Sequence, residues 1–123
     1  MANYVDGFVI PIQKKKVNSY LKLARAASKI WIKHGALDYN ESVAEDLEAH
    51  GCLSFKKLAG AKTQETVVFA WITYKSKAHR NKVNKQVMSD PDLKKICVGQ
   101  DMPFDTRRMA TGGFEIKVKK KGL

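Results

Sequence analysis

The stretch 67-VVFAWITYKS-76 decides how this chain folds. Val67, Phe69, Trp71 and Thr73 share one parity; Val68, Ala70, Ile72 and Tyr74 share the other. In a strand the two sets point to opposite faces. Both sets are largely apolar, whereas a strand with one wet face alternates apolar and polar residues. Residues 65–75 are therefore expected to form a strand covered on both sides. Leaving Val, Phe and Trp in water forgoes roughly 1.5–3 kcal/mol for each large side chain. A patch of that kind marks an interaction surface. Two covers suit it: RNA bases stacked on Phe69 and Trp71, or a second sheet.

The flanking segments supply the rest of the fold. Ser76 caps a basic helix over 77–89. Upstream, 3-NYVDGFVIPI-12 reads as a strand with apolar residues on both parities. Pro11 cannot donate a ladder hydrogen bond, so it marks the strand's end or an edge. Residues 14–34 read as a long helix. Val17, Tyr20, Leu21, Ala24, Ala27 and Trp31 recur at spacings of three and four as an apolar stripe. Lys22, Arg25, Lys29 and Lys33 form a second, solvated stripe. His34-Gly35 is the stop signal, an imidazole at the negative end of the helix followed by a residue free to adopt positive φ. Residues 36–45 read as a second strand, and 52–58 as its continuation or a short irregular strand. Asp90-Pro91-Asp92 ends the basic helix and opens a short one reaching about Val98. A loop over 99–106 and a last strand over 107–118 complete the domain, 1–118, and 119–123 is a basic tail. The order β-α-β-β-α-β is the ferredoxin-like, split βαβ pattern of the α+β class: a four-stranded antiparallel sheet with helices on one face.

At 123 residues the chain is one domain and needs no disulfide or metal staple. Cys52 and Cys97 lie far apart, fit no metal or redox spacing, and read as free thiols of a reducing compartment. There is no positively charged start followed by an apolar run, and no run of about 18 apolar residues. The expectation is a cytoplasmic protein with no signal peptide and no membrane partner. The net charge of +11 invites a nucleic-acid reading. Yet only four of the 23 basic residues are arginine, and lysine suits a solvated surface better than bidentate recognition. The charge is also segregated: residues 13–33 carry seven bases and no acid, and 38–48 carry five acids and no base. The third strand of an RNA-recognition motif begins with a basic residue and glycine. Phe69 to Tyr74 fits its last six places, but Val67-Val68 stands where that pair belongs. Two valines favour dry packing over phosphate contact. RNA is a partner of second choice, and a second sheet over Val67, Phe69 and Trp71 is the preferred cover.

Four segments carry a wider resemblance: YVDGFVIPIQKK from Tyr4, IWIKHGALDYNES from Ile30, VVFAWITYKSKAHRNKVNKQVMSDP from Val67 and DMPFDTRRMATGGFE from Asp101. They contain W-x-x-Y-x-S-x-x-H-R (Trp71, Tyr74, Ser76, His79, Arg80) and a DMPFD…RM…GGFE segment. Over nearly the whole chain this closely resembles the YbaA-like family of bacterial proteins of unknown function. The resemblance implies a dimeric α+β barrel, in which two ferredoxin-like subunits stack their sheets face to face. It implies no established activity. Barrels of this type that act as monooxygenases or bind small molecules use the space between helices and sheet, so a monooxygenase-like enzyme is a further alternative.

The candidate ligand-binding residues are His79, Arg80, Asp6, Arg107, Arg108 and Trp31. His79 falls on the apolar stripe of its helix with Val83 and Val87, which fits either a core-edge histidine or a polar group lining a pocket between helices and sheet. Acid–base work would need a carboxylate partner, for which Asp6 and Asp105 qualify. Of Arg107 and Arg108, adjacent in the last strand, at most one faces inward. An arginine paired with Asp101 or Asp105 would pin the loop; an anion-binding role is the alternative. Gly112-Gly113 inside a strand suggests a bulge, a close backbone approach or a glycine-lined ligand contact. His50-Gly51-Cys52 could form half of a metal site, but His34 has no ligand spacing to either, so no metal is expected. No nucleophile elbow, phosphate loop or dinucleotide fingerprint occurs, and no residue pattern announces a cofactor, so none is expected. The leading reading is a homodimer with a small-molecule pocket between sheet and helices. Its catalytic residues, and whether it is an enzyme at all, are left open at this stage.

Overall fold

A computed structural model describes residues 2–97 and 102–123, with the Cys97 side chain left aside. The expected reach of the short helix to Val98, the pairing with Asp101 and the state of the Cys97 thiol thus lie outside the described residues.

The elements are β1 (Tyr4–Gln13), α1 (Val17–Lys33), β2 (Asp38–Val43), α2 (Phe55–Ala59), β3 (Glu65–Tyr74), α3 (Lys77–Met88), α4 (Pro91–Cys97) and β4 (Ala110–Glu115). The sheet is antiparallel with order β2-β3-β1-β4. This is the ferredoxin-like split βαβ topology: β1 and β2 run parallel with β3 inserted between them. Register is set by the ten-residue pairing of β1 with β3, from Tyr4 opposite Tyr74 to Gln13 opposite Glu65. β4 pairs only with Tyr4 to Val9, so Pro11 has a neighbour on one side alone, which is where a residue without an N–H belongs.

The two parities of β3 separate as expected. Val68, Ala70, Ile72 and Tyr74 are buried under the helix layer, where they meet Tyr4, Ile10 and Ile12 of β1 and Tyr20, Ala24 and Ile30 of α1. Val83 and Val87 of α3 close the same core. Lys22, Arg25, Lys29 and Lys33 face solvent on the far side of α1. Gly35 takes φ 109° just after α1, where only glycine is unstrained.

The structure departs from the sequence reading in two places. Residues 52–58 hold no strand: Ser54 accepts a hydrogen bond from the Lys57 N–H, and Gly60 ends α2 at φ 66°. α2 packs against β1 and β3 on the face away from the other helices, with the Phe55 ring 5.9 Å from Phe69. The helices therefore do not all lie on one face. The last strand also starts later than residue 107. Asp105 accepts from the Arg107 N–H and sets a 3-10 turn over Thr106–Arg108, so strand alternation does not govern the two arginines.

Candidate functional site

Between the helix layer and the sheet lies a cavity of about 280 Å³, walled by Phe8, Ala70, Ile72, Leu93, Phe104 and other apolar side chains. α1 supplies Tyr20, Ala27 and Trp31; β2 supplies Tyr39 and Glu41. Glu41 is the acidic group of the lining. One carboxylate oxygen accepts from the Tyr20 hydroxyl at 2.7 Å, and the other from the Tyr39 hydroxyl at 3.0 Å. Burial pushes the Glu41 carboxyl above the usual carboxylate range, and the two phenols pull against that rise. Both phenols are themselves raised, by burial first and by Glu41 second. Trp31 stands beside Tyr39, ring centres 5.9 Å apart, and Phe104 meets Tyr20 edge-on at 5.5 Å.

A second polar group lies beneath α3. Arg80 places one guanidinium nitrogen 3.4 Å from the Asp6 carboxylate and donates from another to the Tyr4 hydroxyl at 3.1 Å. The guanidinium also lies over the Tyr4 ring, 5.1 Å from its centre. Asn84 Oδ1 accepts from the Tyr74 hydroxyl and from Trp31 Nε1, both at 3.2 Å. Burial raises the Asp6 carboxyl, and Arg80 opposes the rise. Trp31 bridges the two groups, its ring on the cavity and its N–H on Asn84.

Of the candidate ligand residues, Trp31 alone lines the cavity. His79 sits at the β3–α3 corner, where Nδ1 accepts from the Lys75 N–H at 3.0 Å and the ring meets Tyr74 edge-on. Ser76 accepts from the His79 N–H at 3.1 Å, so the corner is tied twice over one helical turn. Arg107 pairs with Asp105 in solvent, as the loop-pinning reading has it. Arg108 instead clamps Glu65 at 2.8 Å and the Gly60 carbonyl at 2.8 Å, tying the turn before β4 to the start of β3. The motif from Trp71 to Arg80 is thus a corner with its cap, its ring and its buried ion pair. Gly113 admits a side chain, not a neighbouring backbone: a Cβ there would stand 2.9 Å from two ring carbons of Tyr4.

The outer sheet face divides in two. Val67, 2% exposed, is already covered within the chain at the end where α2 sits. Phe69 remains 44% exposed and Phe114 62%, with Trp71 half-buried between the strands. This aromatic surface and the lysine stripe of α1 occupy opposite sides of the sheet.

Glu41, Tyr20 and Tyr39 are absent from the candidate ligand-binding residues read from the sequence. A signal existed: Tyr39 and Glu41 share the inward parity of β2, and a carboxylate on an inward parity needs a partner.

Residues 3–106 match the family described as Protein of unknown function (DUF1428). The "Uncharacterized protein YbaA" of Escherichia coli (strain K12) is 40% identical over 112 residues, 91% of this chain and 94% of that protein. The protein of that name from Shigella flexneri matches to the same extent. An uncharacterized NIPSNAP domain protein from Burkholderia xenovorans, known from a crystal structure, shares the fold. Its TM-score is 0.52 at 13% identity, over 97% of this chain and 99% of that one. No helix among the described residues is long and apolar enough to cross a membrane. With a family model that spans most of the chain and a relative aligned along nearly all of it, this chain belongs to the family described as Protein of unknown function (DUF1428).

Proposed function

We propose that this protein is a cytoplasmic homodimer that binds a small amphipathic molecule in the cavity between sheet and helices. The observation that carries the binding reading is the cavity itself: an apolar chamber with one carboxylate, Glu41, held at its wall by two phenols. Small-molecule sites combine mostly apolar walls with a few placed polar groups, and about 300 Å³ is the lower end of their usual size. The occupant is accordingly small. The dimer reading rests on Phe69, Trp71 and Phe114, which form an apolar surface on the outer sheet face that α2 covers only at the Phe69 end. A second sheet over that surface would remove it from water.

Indole titrated into isotope-labelled protein tests the binding reading, followed by backbone amide shifts. Shifts are expected around Tyr20, Ala27, Tyr39 and Ile72, and should vanish in Ala27→Trp, which fills the chamber. Shifts scattered over the surface, or surviving in that variant, would overturn the reading. Native mass spectrometry tests the dimer, whose expected mass is twice 13.8 kDa.

A further inference from the structure

The geometry points to an organic ammonium ion as the occupant: we propose that the cavity takes a small arylalkylamine, its charged nitrogen on Glu41 and its ring among the apolar walls. This rests on the binding reading above and narrows its chemistry.

The argument begins from what Glu41 lacks. Among the described residues, four other acids are withdrawn from full exposure, and each has a cation. Asp6 has Arg80, Glu65 has Arg108, Asp90 has Lys33 and Asp105 has Arg107. Glu41 is the partly buried acid with none within ion-pair distance. The chain carries 23 lysines and arginines against 12 acids, so cations are not scarce. A carboxylate drawn out of water without a countercharge is costly, and burial already raises its protonation range. The two phenol hydrogen bonds hold it in place but bring no charge. They also leave acceptor capacity, since a carboxylate offers about four lone-pair sites.

The surroundings suit a cation with an apolar body. The rings of Tyr20, Tyr39, Trp31 and Phe104 cluster around the carboxylate end of the chamber. Aromatic faces attract ammonium groups, and more strongly where water is excluded. An anionic ligand would meet Glu41 as a like charge. A neutral hydrocarbon would leave the carboxylate without a countercharge. Ala24, Tyr39 and Glu41 border an outer groove as well as the chamber, so Glu41 stands at the wall between the two. Arg25 lines that groove without pairing with Glu41.

The test is calorimetric titration at neutral pH with three probes of similar shape: 2-phenylethylamine (a cation), propylbenzene (neutral) and 3-phenylpropanoate (an anion). Wild type should bind the amine at least tenfold more tightly than propylbenzene, and the anion least. Glu41→Gln, which keeps the shape and removes the charge, should bring the amine down to the level of propylbenzene. Ala27→Trp should abolish both. If propylbenzene matches the amine, or Glu41→Gln leaves amine affinity unchanged, the ammonium assignment is wrong while the cavity reading stands. If no probe binds to protein shown by circular dichroism to be folded, both fall.

Discussion

Replacing Gly113 with alanine probes the tightest contact in the fold. Its φ does not lie in the left-handed region, so alanine meets no backbone strain there; the obstacle is steric. The new methyl would stand 2.9 Å from two Tyr4 ring carbons and closer still to the hydroxyl oxygen, all far inside contact distance. Two responses are open. Tyr4, 8% exposed, could swing out. That would forfeit about 2–3 kcal/mol of aromatic burial and a charge-assisted hydrogen bond from Arg80 of about 1.5–3 kcal/mol. Alternatively β4 could back away from β1, an overpacking response of about 1–3 kcal/mol. The cheaper route governs, so the expected loss is about 1–3 kcal/mol. Urea unfolding at fixed protein concentration reads it as a lower midpoint with an unchanged slope. The decisive control is a Tyr4→Ala background, where the same methyl enters open space. There Gly113→Ala should be neutral or stabilise by about 0.4–1 kcal/mol through the unfolded chain. An equal penalty in both backgrounds would refute the account, because no coupling would then join the two residues.

Three further outcomes follow from the structure. Arg80→Met leaves Asp6 buried without its cation and should cost about 3 kcal/mol, whereas Arg80→Met with Asp6→Leu should recover much of it in thermal unfolding. Arg108 holds the Glu65 carboxyl down to about 2. A depressed carboxyl contributes stability that is complete above its unfolded value of about 4.3 and is lost as pH falls towards 2. The urea midpoint should therefore drop over that window, and drop less steeply in Glu65→Gln; equal slopes would contradict the pairing. Phe69→Glu with Phe114→Glu should turn the proposed dimer into a folded monomer by light scattering, with an unchanged circular dichroism spectrum. A dimer that survived both charges would remove the outer face as its interface.

The sheet could be read from the chain because β3 is long and apolar on both parities, a pattern only a doubly covered strand needs. α2 escaped for the opposite reason: five residues are too few for helical periodicity. Its real signals were a serine in front of Phe55 and a glycine behind Ala59. The motif around His79 and Arg80 stood out by residue type, yet these side chains hold a corner together and do not line the cavity. Glu41 went unnoticed inside an acidic run that resembles ordinary surface charge. What sets it apart is its parity with Tyr39 and the distant Tyr20, which only folding brings beside it. Residue types advertise chemistry, but whether a polar side chain faces a chamber or a turn depends on contacts far apart in sequence.

The pairing of β1 with β3 has a consequence for synthesis. The two central strands are the longest pair in the sheet, yet the residues that join them, Gln13 opposite Glu65, are separated by a helix, an edge strand and a short helix. A ribosome adding about 5–20 residues per second needs several seconds after finishing β1 before β3 is complete. Throughout that interval Val5, Phe8, Val9, Ile10 and Ile12 have no strand to pair with. α1 emerges next, and its apolar stripe can shelter one side of β1. The other side waits, so the vulnerable species in the life of this protein is a nascent chain that ends before Tyr74.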